Sequence, residues 1–147
     1  MGNEDRYDVC ETASEKATER AGFDFAGKVK SGDIILFYGS VGSGKTVFAR
    51  GLCRGLGFEG YVNSPSYIIM NQYEAGELTV YHYDLYRISS TLELTEIGFY
   101  DFPGKENTVT LIEWAEMLDG EIPEKRIEVR IGVKGEKKRT IKIERIG

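Results

Sequence analysis

The apolar positions of this 147-residue chain change period several times, and each change marks an element. Ile34-Ile35-Leu36-Phe37-Tyr38 is continuously apolar, as suits a strand buried on both faces, and Ser31-Gly32-Asp33 supplies a turn before it. Upstream, Ala13, Ala17 and Ala21 recur at steps of four behind Thr12-Ala13-Ser14-Glu15, which has the form of a capping box. They predict a first helix over about 13–25. From Val47 to Leu56 apolar residues fall at 48, 49, 52, 53 and 56, predicting a second helix that Gly51 and Gly55 weaken and Gly57 closes.

Beyond Ser64-Pro65 two β segments, Tyr67 to Tyr73 and Leu78 to Tyr83, flank Glu74-Ala75-Gly76-Glu77, a connection short enough for a hairpin rather than a crossover. Thr91 to Ile97 predicts a short helix stopped by Gly98, although its alternation leaves a strand open. Thr108 to Ile112 repeats the buried-strand pattern and ends at Glu113-Trp114. Ile127, Val129, Ile131 and Val133 alternate with Glu128, Arg130 and Gly132, and Ile141 and Ile143 resume the alternation past a polar turn at 134–138. The C-terminus therefore reads as a half-exposed antiparallel hairpin. Together these elements predict an α/β fold: a single domain over residues 1–147, with a mixed parallel/antiparallel sheet flanked by helices and antiparallel hairpins in the middle and at the C-terminus.

Composition narrows the class. With 41% hydrophobic and 29% charged residues the chain is typical of soluble domains, and no apolar run nears the roughly 18 residues a membrane span needs. Met1 to Arg6 is a charged stretch that lacks the apolar core of a secretory signal, so a cytoplasmic protein with no membrane contact is expected. Cys10 and Cys53 stand far apart without metal-ligand spacing and read as buried free thiols. A formal net charge of −5 speaks against a nucleic-acid backbone being gripped by this domain alone, so any such role would be indirect.

The strand at 34–38 runs straight into Gly39-Ser40-Val41-Gly42-Ser43-Gly44-Lys45-Thr46, the G-x-x-x-x-G-K-[ST] pattern of a phosphate cradle. Glycines let consecutive backbone N–H groups curl around phosphate oxygens, and the positive end of the following helix lies behind them. Lys45 adds a cation for the β- and γ-phosphates, and the Thr46 hydroxyl suits Mg²⁺. The order strand, loop, helix makes this a P-loop NTPase domain. Such a site also needs a carboxylate, usually at the end of a second buried strand, and Glu113 has that position. Glu113 could hold Mg²⁺ directly, hold it through water, or act on the attacking water; the alternative is a strand-end glutamate in a surface salt bridge. Strand alternation puts His82 and Asp84 on one face. Asp84 is thus a second candidate for metal binding or water activation, against a core histidine with Asp84 paired to Arg87. Ser66, in Ser64-Pro65-Ser66-Tyr67, could contact metal or γ-phosphate or simply turn the chain. Arg50, Arg54 and Arg87 are undistinguished candidates for a transition-state cation. Tyrosines and phenylalanines crowd residues 58–102, as a partner surface or as cross-strand packing. A magnesium-dependent ATPase, a small-molecule kinase and a nucleotide-dependent binding switch all fit these residues. With no Asn-Lys-x-Asp segment to read guanine, ATP is favoured over GTP.

Taken together and in this order, GSVGSGKT, SPSY, HYDLYR and the strand-ending EW resemble the bacterial TsaE (formerly YjeE) family, over roughly residues 12 to 133. The resemblance implies a P-loop fold with an unusual mixed sheet, and ATP and Mg²⁺ as cofactors. It places Thr46 and Glu113 on the metal, Asp84 in hydrolysis, and Thr12, near the start of the first helix, beside the nucleotide. Ser66 stands where family members commonly have threonine, and Ser40 where an acidic residue is common. The implied activity is ATP hydrolysis, weak without partners, on an assembly of TsaD and TsaB that makes threonylcarbamoyladenosine in tRNA. Contact with tRNA would be indirect, through that complex.

Overall fold

The computed structural model describes residues 7–40, 42–62, 70–88, 90–96, 98–101, 103–118 and 120–147. Val41 and the whole of Ser64-Pro65-Ser66-Tyr67 lie outside the described residues, so the readings of Val41 and Ser66 do too. Seven described strands form one sheet: β1 Tyr7–Thr12, β2 Ile34–Tyr38, β3 Met70–Ala75, β4 Leu78–Asp84, β5 Thr108–Glu113, β6 Arg126–Val133 and β7 Arg139–Ile146, in the spatial order β1-β7-β6-β2-β5-β4-β3. The helices are α1 Glu15–Phe25, α2 Lys45–Leu56 and α3 Thr91–Glu96, joined by short 3₁₀ turns. No described helix is long and apolar enough to cross a membrane.

The unbroken apolar run at 34–38 has the environment its sequence predicts. β2 sits mid-sheet, pairs in parallel with both β5 and β6, and buries Ile34 through Phe37. β4 is also parallel to β5, while the hairpins β3–β4 and β6–β7 and the outer pair β1–β7 are antiparallel. Because β2, β5 and β4 run the same way, their C-terminal ends emerge together: Phe37, Glu113 and Asp84 are register neighbours across the three strands. Whatever follows those ends is gathered at one margin of the sheet, the usual place for ligands in parallel sheets. One sheet face packs against α1 and α2 around Phe48, Leu52 and Phe25, and the other packs Leu36, Tyr83 and Ile112 under Leu94, Phe99 and Leu118.

Gly51 and Gly55, which look like weak points in a lone helix, are where α1 lies on α2. A Cβ on Gly51 would fall on the carbonyl oxygen of Glu19, and one on Gly22 of α1 would fall on that of Phe48. A Cβ on Gly55 would lie 2.5 Å from the Cβ of Ala26 and 2.6 Å from the carbonyl oxygen of Phe23. The glycines trade helix propensity for backbone-to-backbone packing, which sets α1 close to the helix that carries the cradle.

Two expectations fail here. The capping box at Thr12 does not form: Thr12 is held in the β1–β7 ladder opposite Arg139, and Ser14 caps α1, its Oγ accepting from the Ala17 N–H at 3.0 Å. Thr12 instead shares a 2.7 Å hydrogen bond between its Oγ1 and that of Thr18. Cys10 is not buried either, because β1, which the sequence pattern did not predict, is one of the two edge strands of the sheet and leaves Cys10 exposed. Cys53 is buried in α2, and burial pushes its thiol up to about 12. A chromogenic thiol reagent at pH 8 should therefore titrate one thiol in the native protein and two in denaturant; two reactive native thiols would contradict this packing.

Candidate nucleotide-binding site

The loop after β2 is shaped by backbone angles only glycine adopts easily. Gly39, Gly42 and Gly44 have φ of 156°, 79° and 109°. At Gly39 space matters as well, since a Cβ there would come within 2.6 Å of Ser43 Oγ and 2.7 Å of the Ile131 carbonyl oxygen. Gly44 is the N-cap of α2 and brings no side-chain hydrogen bond to the helix start, so the first-turn N–H groups keep their donors for an anion. Ser43 Oγ is buried with no hydrogen-bond partner among the described residues, an orphan polar atom beside those donors. The loop fits a phosphate.

Lys45 is nearly buried, and its Nζ donates to the Gly39 carbonyl at 2.8 Å while lying 4.6 Å from the centroid of the Trp114 ring. The cation is thus held at the mouth of its own loop. Trp114 follows β5 with φ 60°, a left-handed conformation that is costly for a bulky residue, and its ring packs 4.8 Å from that of Tyr86. Tyr86 belongs to the His82-to-Arg87 segment, so the two motifs meet over Lys45.

Glu113 is 3% exposed and is no surface salt-bridge residue. Its Oε2 lies 2.6 Å from Nε2 of His82, and Nδ1 of His82 lies 3.2 Å from the hydroxyl of Tyr73. One assignment satisfies all the groups: the Tyr73 hydroxyl donates to Nδ1, the His82 Nε2–H donates to the carboxylate, and Asn71 Nδ2 donates to the Tyr73 oxygen at 3.4 Å. His82 is therefore buried and satisfied, and what it satisfies is the candidate metal ligand, a support that carboxylate ligands generally have. Asp84 is the register neighbour of Glu113, and its Oδ1 accepts from the Tyr86 N–H at 3.0 Å. No described cluster of three or more His, Cys, Asp or Glu side chains forms a ready metal cage. Mg²⁺ does not require one, being held typically by one or two carboxylates, waters and the substrate's phosphates. Thr46, half-buried in the first turn of α2, and Glu113 and Asp84 at adjacent strand ends are the residues that could supply such donors.

The residue that sequence reasoning missed is Arg139. From the start of β7 its Nε donates to the Ser43 carbonyl at 2.8 Å and its Nη2 to the Gly42 carbonyl at 3.2 Å. Alternation shows which sheet face position 139 is on, but only the β7-β6-β2 order places that face under the cradle. Beside the loop lies a cleft of about 430 Å³ between Ser14, the cap of α1, Thr18 of α1, Gly42–Gly44, and Lys137 and Arg139 at the C-terminal hairpin. Thr12 adjoins it through its hydrogen bond to Thr18. Of the earlier arginine candidates, Arg54 is ion-paired with Glu19, and Arg50 sits 5.8 Å from the Tyr61 ring. Among the described central aromatics Phe58 packs on Tyr73 and Tyr83 on Phe99, while Tyr61, Tyr86 and Tyr100 are exposed.

A family model described as threonylcarbamoyl adenosine biosynthesis protein TsaE matches residues 12–141. The chain belongs to the TsaE family. Relatives described as tRNA threonylcarbamoyladenosine biosynthesis protein TsaE include one from Bacillus subtilis (strain 168), 36% identical over 118 residues, covering 80% of this chain and 73% of the relative. One from Treponema pallidum is 31% identical over 134 residues, covering 91% of this chain and 98% of the relative. The crystal structure of Bacillus subtilis YdiB superposes with a TM-score of 0.80 at 27% identity, covering 97% of this chain and 87% of that one. The TsaE match spans the cradle, Asp84, Glu113 and Arg139 together, and it places the protein in tRNA threonylcarbamoyladenosine biosynthesis.

Proposed function

We propose that this TsaE-family protein binds ATP with Mg²⁺ in the Gly39–Thr46 cradle and hydrolyses it in support of a TsaB–TsaD assembly that makes threonylcarbamoyladenosine in tRNA. The observation carrying the proposal is the cradle itself: three glycines at positive φ, an orphan Ser43 hydroxyl and uncapped α2 donors, with Lys45 held 2.8 Å from Gly39. In this reading Lys45 leaves the Gly39 carbonyl for the β- and γ-phosphates, the loop amides take up phosphate oxygens, and Thr46 and Glu113 hold the metal. Bound Mg²⁺ would supply charge for the developing phosphate. Asp84, one strand over, orients or deprotonates the attacking water, and His82 fixes the rotamer of Glu113. Exposed Tyr86, two residues past the end of β4, suits a protein partner, and the net charge of −5 suits indirect contact with tRNA.

The test uses Trp114, the sole tryptophan, as a reporter, because the Lys45 ammonium lies over its ring. Adding ATP and Mg²⁺ should change its emission saturably, and Lys45→Ala should weaken ATP at least about tenfold, the scale of one lost charge-assisted contact. GTP should bind less well than ATP. No saturable response in the wild-type protein, confirmed by calorimetry, would overturn the proposal.

A further inference from the structure

We infer that Arg139 is a positioning residue for the cradle, pinning the Ser43 carbonyl outward so that the Gly44 N–H faces the phosphate; this rests on the nucleotide-binding reading above. Arg139 stands opposite Val133 of β6 and Thr12 of β1, on the sheet face that carries α1 and α2, as Ile141 and Ile143 further along β7 show by lying in that core. From there the guanidinium spans two loops. Nε and Nη2 hold Ser43 and Gly42, and Nη1 donates to the carbonyls of Lys138 at 2.9 Å, Gly135 at 3.1 Å and Glu136 at 3.4 Å. These five hydrogen bonds all go to backbone carbonyls, so among the described residues the side chain organises backbone rather than balancing a carboxylate.

Peptide geometry turns that into a statement about the opposite side of the loop. In a planar trans peptide the C=O and the following N–H point in opposite directions, and no described peptide is cis. With the Ser43 carbonyl drawn to Arg139, the Gly44 N–H points away from Arg139, as anion binding at the start of α2 needs. Gly44, at φ 109° and without a Cβ, offers little resistance to rotation of that peptide. Without the arginine the peptide can turn over and present a carbonyl oxygen to a phosphate, which repels it. The role requires a planar fork reaching several carbonyls at once; a lysine keeps the charge and loses the fork. The same contacts tie the turn of the C-terminal hairpin to the cradle, so a ligand that moves one moves the other.

The test compares the full-length protein with Arg139→Lys and Arg139→Gln by calorimetric ATP titration, thermal melting, and a crystal structure of unliganded Arg139→Gln. Both variants should bind ATP about 10- to 100-fold more weakly, the range expected for losing charge-assisted hydrogen bonds. Their melting points should stay within a few degrees, because the ladders to β1 and β6 hold β7 without this side chain. The Ser43–Gly44 peptide should be rotated in unliganded Arg139→Gln. Binding within twofold of wild type in both variants, or wild-type binding in Arg139→Lys alone, would overturn the inference. A merely structural role would lower the melting point and leave the affinity of the folded protein unchanged. Should the wild-type protein take no ATP, the nucleotide reading fails, and an unmoved Ser43–Gly44 peptide in Arg139→Gln then overturns the inference separately.

Discussion

Glu113→Gln should slow ATP hydrolysis about 100- to 1,000-fold while changing ATP affinity only a few-fold, the range associated with losing one group that stabilises charge in the transition state, here by holding the metal. Glutamine keeps the shape and keeps an acceptor for the His82 Nε2–H, so the 2.6 Å contact seen with glutamate has a neutral successor. What is lost is the charge on a 3% exposed carboxylate. Burying that charge is costly unless it is compensated, so the variant should melt no lower than wild type and could melt higher. Loss of turnover without loss of stability is the signature of a group kept for chemistry. Asp84→Ala should follow the same pattern, with turnover reduced more than binding, because Asp84 borders Glu113 in register. A Glu113→Gln enzyme with ordinary turnover would remove Glu113 from the metal and the mechanism alike.

Gly51→Ala should destabilise the fold strongly, against the direction helix propensity predicts. In an exposed helix the change gains about 1 kcal/mol. Here the new methyl falls on the Glu19 carbonyl oxygen, a backbone atom that moves only if α1 moves. Overpacking of this kind costs about 3 kcal/mol or more at its upper end, so the clash wins. At roughly 2–4 °C per kcal/mol for a domain near this size, the melting point should fall by about 5–10 °C. Gly27→Ala serves as the control: nothing lies within 4 Å of its Cβ, and the change should be neutral or slightly stabilising. If Gly51→Ala raised the melting point, α1 would not lie on α2 as described.

What could be read from the sequence was local, and what could not be read depended on register. The P-loop declared itself because strand, glycines, lysine and helix are contiguous. Thr108–Glu113 and the two hairpins were visible because a buried parallel strand and a half-exposed strand have different apolar patterns. Alternation placed His82 and Asp84 on one face, but Glu113 as the partner of His82 follows from β4 pairing in parallel with β5, which no local pattern encodes. Arg139 was hidden for the same reason, since its target is 96 residues away. Thr12 looked like a cap because the spacing to Glu15 is right, and the sheet ladder overrode it. β1 was missed because Tyr7-Asp8-Val9-Cys10-Glu11-Thr12 is an outer strand with little buried apolar surface to show a period.

On the function proposed above, the cradle and its two carboxylates hydrolyse ATP for a tRNA-modifying assembly. Phosphate release from ATP and from GTP, with and without Mg²⁺, tests it most directly when the protein is assayed alone and then with purified TsaB, TsaD and tRNA. The expected result is slow magnesium-dependent release from ATP that rises when the partners are added and disappears in Lys45→Ala. Release that ignores the partners, or that appears only with an added small-molecule acceptor, would contradict it.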